Sequence, residues 1–395
     1  MNYTFPEIYH IDDVLPAIKD SPEFIVAEKD GYKVINYVVA GHDTFPEILM
    51  EEDSEYFSEQ SYYAAIRREC RGLVFSDEGE LINRRYSKFF NVGEREETQL
   101  NKIDWSKPHH ILEKLDGSML SPCQINNHIR WISKMGITDT SMQAEVFVAS
   151  RPKYTEFAQD MLDQGITPIF EWTSNKNRIV LDYPEDNLIL TALRFMNNGQ
   201  YIRYSKMVGA AKSFDIPVVK AWDDNVAHEA LINIVRQAEN TEGVVVRFED
   251  GHMVKVKSEW YVKIHKVKSL LGQERDVVLL ILNNELDDMI PVLPKEDAEK
   301  IEKFRDILMN RINVNAKMWN VTIDHYKTKM DRKTFALGSA QNYNPLIRGI
   351  IFQFWDKECN EHLTYQTIVD IIKKNCGSNQ SYSKVKEAFL KGVDL

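Results

Sequence analysis

Lys114 stands in the stretch Glu113-Lys114-Leu115-Asp116-Gly117-Ser118, between the apolar pairs Ile111-Leu112 and Met119-Leu120. A lysine amine is protonated at neutral pH, with a reference pKa of about 10.4. It becomes a nucleophile only where burial or neighbouring positive charge lowers that value. Asp116-Gly117 predicts a tight turn, with Gly117 tolerating positive φ and letting a phosphate approach the backbone. Taken alone, the hexapeptide describes an ordinary hairpin turn with a solvated lysine at least as well as an activated amine.

Other charges stand where a purely structural sheet does not need them. Arg71 precedes the apolar run 72–75 and Lys88 precedes Phe89-Phe90, so each cation would rest on an apolar platform, as a phosphate clamp requires. Solvated surface cations are the ordinary alternative. Glu171 lies between Phe170 and Trp172 in a strand-like run, and alternation sets it on the opposite face with Ile169 and Thr173. There it would either face water or hold a ribose hydroxyl or the waters of a metal ion. Glu242-Gly243 opens the run Val244-Val245-Val246, which by itself means little. In 252–257 a period of two sets Lys255 and Lys257 on one face and Val254 and Val256 on the other. That pattern suits a solvated edge strand, or two ammoniums that meet a polyphosphate and lower the pKa of a third lysine.

The elements that must position these residues change character along the chain. Short apolar or alternating runs at 33–40, 72–75, 111–115, 119–125, 128–132, 168–172, 178–181, 188–193 and 243–248 predict strands, with helices at 141–149, 154–162 and 228–238. Beyond 263–275 helical periodicity takes over, as in 277–286, 295–312 and 346–355. This predicts an α+β domain of antiparallel sheets over 1–268 and an all-α domain over 269–395. With 395 residues, 43% of them hydrophobic, each can bury a core. A net charge of −11 argues against non-specific coating of nucleic acid, so any such contact must be focal. Four cysteines without metal-ligand spacing, no secretory leader and no membrane-length apolar run point to a cytosol-like compartment, with no zinc and no membrane.

The order of these motifs resembles the covalent nucleotidyltransferases, the polynucleotide ligases and mRNA capping enzymes: KxDG at Lys114, an aromatic-Glu strand at Glu171, Glu242-Gly243, then Lys255-Val-Lys257. Within that superfamily the chain is similar to the RNA ligase 1 family of T-even bacteriophages. The matching stretches are Glu69-Cys-Arg-Gly72, Lys88-Phe-Phe-Asn91, Asn177-Arg-Ile-Val-Leu181, Trp260-Tyr-Val262 and Asp331-Arg-Lys-Thr334. The resemblance implies an ATP-grasp-like adenylation domain and an ATP-dependent ligase that joins 5′-phosphate and 3′-hydroxyl RNA ends through lysyl-AMP and RNA-adenylate.

Lys114 is the implied nucleophile, with Lys255 and Lys257 as its catalytic partners. Tyr37, Arg71, Lys88, Glu113, Gly117, Lys134, Glu171 and Glu242 are implied at the nucleotide, the two glutamates also holding Mg2+ or Mn2+. Gly136 lies one residue later after Lys134 than the family pattern. Arg194 is either a pocket residue or part of a structural ion pair. The helical domain, with Lys327, Lys329, Arg332 and Lys333, resembles the part credited with recognising cleaved tRNA, although an ordinary charged helix face explains that cluster too. The resemblance implies RNA repair in the cytoplasm, a host's if the chain is phage-encoded. An end-healing kinase or phosphatase would act separately, since the sequence holds no P-loop. The alternatives are a DNA ligase or capping-type enzyme, and a catalytically silent nucleotide- or RNA-binding relic.

Overall fold

A computed structural model describes residues 5–41, 43–48, 58–222, 227–286 and 289–395. The chain divides into two compact units, Met1–Val262 and Lys263–Leu395.

In the first unit the strands run β1 (Phe24–Lys29), β2 (Tyr32–Tyr37), β3 (Arg71–Phe75), β4 (Leu81–Asn83), β5 (Phe90–Asn91) and β6 (His109–Glu113). They continue with β7 (Ser118–Ile125), β8 (His128–Ile132), β9 (Ile166–Thr173), β10 (Asn187–Phe195), β11 (Gly243–Phe248) and β12 (Met253–Lys257). Three four-stranded sheets result, ordered β1-β2-β3-β4, β10-β9-β7-β8 and β5-β12-β11-β6. Pairing is antiparallel except between β12 and the two-residue β5.

β9 is buried along its length except at half-buried Glu171, as expected of a strand covered on both faces. Helices Asp139–Ala149 and Pro152–Asp163 pack Ala144, Val148, Tyr154, Phe157 and Met161 against Leu120, Phe170, Trp172 and Leu190 of that sheet. Thr138 starts the first helix by accepting from the Ser141 amide, and Pro152 opens the second, where a missing N–H costs nothing.

Two expectations are corrected. Residues 178–181 form no strand, because the amides of Val180 and Leu181 donate to the Asp116 carboxylate at 2.8 and 2.7 Å instead of to a neighbouring strand. The stretch 114–117 is no hairpin turn either. β6 and β7 belong to different sheets, so these residues cross from one sheet to the other.

A buried polar spine follows β4. Asn83 donates to Pro122 O at 2.8 Å, Arg84 to Met196 O and Asn197 O at 3.0 and 2.9 Å, and Arg85 to Ile132 O at 3.1 Å. Glu69 sits between Arg84 at 3.0 Å and Arg194 at 2.7 Å, all three buried, so Arg194 belongs to a structural ion pair. Burial pushes the Glu69 carboxyl up, but Arg194 and Arg84 outweigh it and hold it at about 2.

The second unit is helical, with Glu274–Leu282, Lys295–Lys329, Arg332–Leu337, Pro345–Gln353, Glu361–Asn375 and Asn379–Phe389 around Leu308, Ile312, Ile323, Phe335, Ile351, Ile368 and Val385. The long helix runs well past the expected 312, because Ala316, Trp319 and Ile323 continue the buried stripe through a polar stretch. Among the described residues no helix is long and apolar enough to cross a membrane.

Glu69→Gln leaves two buried guanidiniums short of their counter-charge and should cost on the order of 3–5 kcal/mol in denaturant unfolding. The Glu69 contribution is complete above the unfolded carboxyl pKa, near 4.5, and fades as pH falls toward 2. The variant should therefore lose that part of the acid-side decline in stability.

Candidate active site

Lys114 continues from β6. Its amide donates to Gly243 O at 2.9 Å, and the chain then crosses to β7. Asp116 directs the crossing: its amide donates to the Tyr183 hydroxyl, and its buried carboxylate accepts from Val180, Leu181 and, at 2.6 Å, the Tyr261 hydroxyl. Gly117 does not adopt positive φ, which corrects one expectation. A Cβ there would stand 2.3 Å from Trp172 O and 3.1 Å from Glu171 Cγ, so the glycine lets the crossing lie directly on β9 beside Glu171. β9 occupies the side toward which a Cβ would project.

The third sheet brings the other charges to the same edge. Gly243 pairs with Lys257 and Val244 with Glu113, so Glu242, Lys257 and Lys114 meet where β11, β12 and β6 end or begin. Gly243 has φ +137°, and a Cβ there would meet Val256 O at 2.0 Å, which reserves the position for glycine. Glu242 is buried, and its Oε1 lies 2.7 Å from Lys114 Nζ and 3.0 Å from Lys257 Nζ. The neighbour of the Lys114 amine is thus a carboxylate that it shares with Lys257.

Aromatic faces carry the remaining cations. Arg71 and Lys255 lie over the Phe89 ring at 5.7 and 5.4 Å, and Lys255 Nζ donates to Phe89 O at 3.3 Å. Lys88 is surrounded by the rings of Tyr37, Phe45 and Phe90 at 5.3, 5.3 and 5.5 Å. Lys134, at the tip of the turn closed by Ser133 and Gly136, reaches over Tyr37 at 5.1 Å. Such contacts retain a cation on an apolar surface without neutralising it. Burial, then Arg71, Lys88 and Lys114, push Lys255 down to about 7, and burial and Arg71 lower Lys88 as well. Burial raises Glu171 to about 7, with Lys114 opposing and Glu242 assisting the rise. Within the Lys-x-Lys pair, burial and then neighbouring cations suppress the charge on Lys255, while Lys257 shares the Glu242 carboxylate with Lys114.

The structure gathers Arg71, Lys88, Lys114, Glu171, Glu242, Lys255 and Lys257 about the crossing, with Tyr37 and Lys134 beside Lys88. Glu113 sits one residue before Lys114 at the end of β6, with its amide on Lys220 O at 2.9 Å. Among the described residues no group of three or more His, Cys, Asp and Glu is disposed to hold a metal.

A sequence model of the RNA ligase family matches residues 69–264, the stretch that carries all of this site except Tyr37. Over that stretch the chain is similar to the RNA ligase family. It is 28% identical over 274 residues to a candidate RNA ligase of Thermovibrio ammonificans, covering 66% of this chain and 71% of that one. To an RNA ligase of Rhodothermus phage RM378 it is 24% identical over 314 residues, 62% of this chain and 70% of that one. A structure of a mutant Naegleria gruberi RNA ligase with AMP and Mn aligns over 40% of this chain with 21% identity and a TM-score of 0.35; the chain spans about half, 52%, of its length.

Asp116, Tyr183, Tyr261 and Phe89 form part of the site's support and escaped the sequence reading of individual roles. The first three look like ordinary turn and helix residues until the fold joins them. Phe89 was legible only as part of an apolar platform.

With Lys255 near 7, a bound polyphosphate should raise its pKa and draw in a proton. Pyrophosphate binding at pH 8 should take up close to one proton more in the unchanged protein than in Lys255→Met, and the difference should vanish at pH 6, where Lys255 already carries its proton. Titration calorimetry in buffers of different ionisation enthalpy reads this directly.

Proposed function

We propose that the protein is an ATP-dependent RNA ligase that seals 5′-phosphate to 3′-hydroxyl RNA ends, with the first unit as an ATP-grasp-like nucleotidyltransferase. The observation that carries this reading is the Lys114 amine, 2.7 Å from Glu242 at a crossing between two sheets. Arg71, Lys88 and Lys255 surround it, and the similarity to RNA ligases supports the same chemistry.

Lys114 Nζ attacks the α-phosphorus of ATP. The bond from that phosphorus to the bridging oxygen breaks, pyrophosphate leaves, and lysyl-AMP remains as a phosphoramidate. Glu242 Oε1 is within reach of the proton that the amine sheds. Arg71, Lys88 and Lys255 meet the charge that develops on the departing pyrophosphate, while Lys257 balances Glu242. Tyr37, Glu113 and Lys134 border the nucleotide. An oxygen of the RNA 5′-phosphate then attacks the lysyl-AMP phosphorus, the P–N bond breaks, and Lys114 leaves with a proton. Attack of a 3′-hydroxyl on the resulting RNA-adenylate forms the phosphodiester and releases AMP.

Glu171 fits a divalent cation, because burial leaves its carboxyl raised to about 7 and so short of positive charge. Glu242 fits one only by giving up its lysines. Two carboxylates suit an ion that retains most of its waters, and Mg2+ or Mn2+ bound there supplies charge neutralisation at the phosphates.

For the helical unit we propose contact with RNA, cleaved tRNA included, through exposed Lys329 and Lys333. The other two cations of that cluster are engaged: Lys327 donates to Phe354 O and Lys357 O at 3.2 and 2.7 Å, and Arg332 pairs with Asp356. End healing belongs to a separate kinase or phosphatase, and the setting is the cytoplasm.

Incubation with α-labelled ATP and magnesium should label the protein through a bond that survives denaturation and is cleaved by acid. Lys114→Ala should reduce the label by more than about a hundredfold. Undiminished label in that variant refutes the assignment, and ATP binding without release of pyrophosphate favours the silent relic.

A further inference from the structure

Arg85 is 2% exposed, and no carboxylate pairs with it among the described residues. Burial, reinforced by Arg71, pushes its guanidinium down to about 10. Its Nη1 donates to Ile132 O at 3.1 Å and its Nη2 donates to Gly72 O, while its Nε has no partner. The contrast with its neighbour is instructive: Arg84 is equally buried but has the Glu69 carboxylate. A buried charge without a counter-ion is costly, so its two carbonyl contacts call for a reason beyond stability.

Those carbonyls lie within two residues of two cations of the site. Gly72 follows Arg71 at the start of β3, and Ile132 ends β8 two residues before Lys134. The two sheets touch at this point, since a Cβ on Gly72 would lie 2.8 Å from Lys134 Cα. Arg71 pairs with Asn36, beside Tyr37, whose ring lies beneath the Lys134 ammonium. The Arg85 fork therefore spans the seam where the sheet carrying Arg71 and Tyr37 meets the strand leading to Lys134.

We propose that Arg85 is a positioning residue for the polyphosphate of ATP: by holding Gly72 O and Ile132 O together it sets Arg71 and Lys134 as one clamp. This rests on the ligase reading above. Arg85 itself touches no substrate. Lysine retains the charge but lacks the planar fork, so it can reach one carbonyl and not both with the same geometry.

The test is single-turnover formation of lysyl-AMP by the full chain, with the KM for ATP measured for Arg85→Lys in two backgrounds: the unchanged protein and Arg71→Ala/Lys134→Ala. If Arg85 acts through the two cations, Arg85→Lys should raise KM about tenfold in the first background and less than about twofold in the second. The maximal rate should change little, and circular dichroism melting should show a folded variant. An equal rise in both backgrounds, or none in the first, overturns the proposal and leaves Arg85 a structural residue. Absence of lysyl-AMP in the unchanged protein instead overturns the ligase reading on which the proposal stands. Arg85→Gln is the second variant: as a shorter, neutral side chain it should raise KM further, and a KM equal to that of the unchanged protein also overturns the proposal.

Discussion

The Asp116 carboxylate is the interaction on which the site depends. A buried carboxylate is tolerated only when its oxygens are met by donors, and here the Val180 and Leu181 amides and the Tyr261 hydroxyl supply them. These bonds tie the 174–181 loop and the start of the helix Glu259–Leu271 to a single aspartate, two residues after Lys114. Satisfying one side chain thus determines how the chain leaves β6 and enters a different sheet. Gly117 then permits the crossing to lie against the Trp172 carbonyl, which brings the lysine and Glu171 to one side of β9.

Around that crossing the protein concentrates positive charge without neutralising it. Most of the cations rest on aromatic faces or backbone carbonyls, which hold them in position while leaving their charge available to an anion. Glu242 is the exception, shared by Lys114 and Lys257. The suppressed charge on Lys255 is the mark of like charges confined at low hydration. Away from the crossing, Glu69 answers Arg84 and Arg194 directly, so there the same residue types are matched by a buried counter-charge.

Much of the strand pattern was legible because apolar alternation and β-branched runs are local. β8 and β11 begin and end where their residues predict, and β2, β7, β9 and β10 differ only at their ends. The short β4 and β5, and the run 178–181, were not legible in this way. A two- or three-residue strand has no period to read, and whether Val180 and Leu181 give their amides to a strand or to a distant carboxylate depends on Asp116, more than sixty residues earlier. The long helix past residue 312 was hidden for a related reason, since its buried stripe is sparse and emerges only against its packing partners.

The sequence by itself determined the candidate chemistry: a lysine, carboxylates and paired lysines in the order of a nucleotidyltransferase, with strands early in the chain and helices late. Those are properties of residue type and spacing. Only the tertiary structure decided which group neighbours which. Glu242 meets Lys114 across a separation of 128 positions, burial and neighbouring cations suppress the charge on Lys255, and Gly117 lets the crossing lie on the Trp172 carbonyl of β9. Hydrogen bonds and Coulomb interactions act over a few ångströms in space, and spacing along the chain does not encode those distances until the sheets have met.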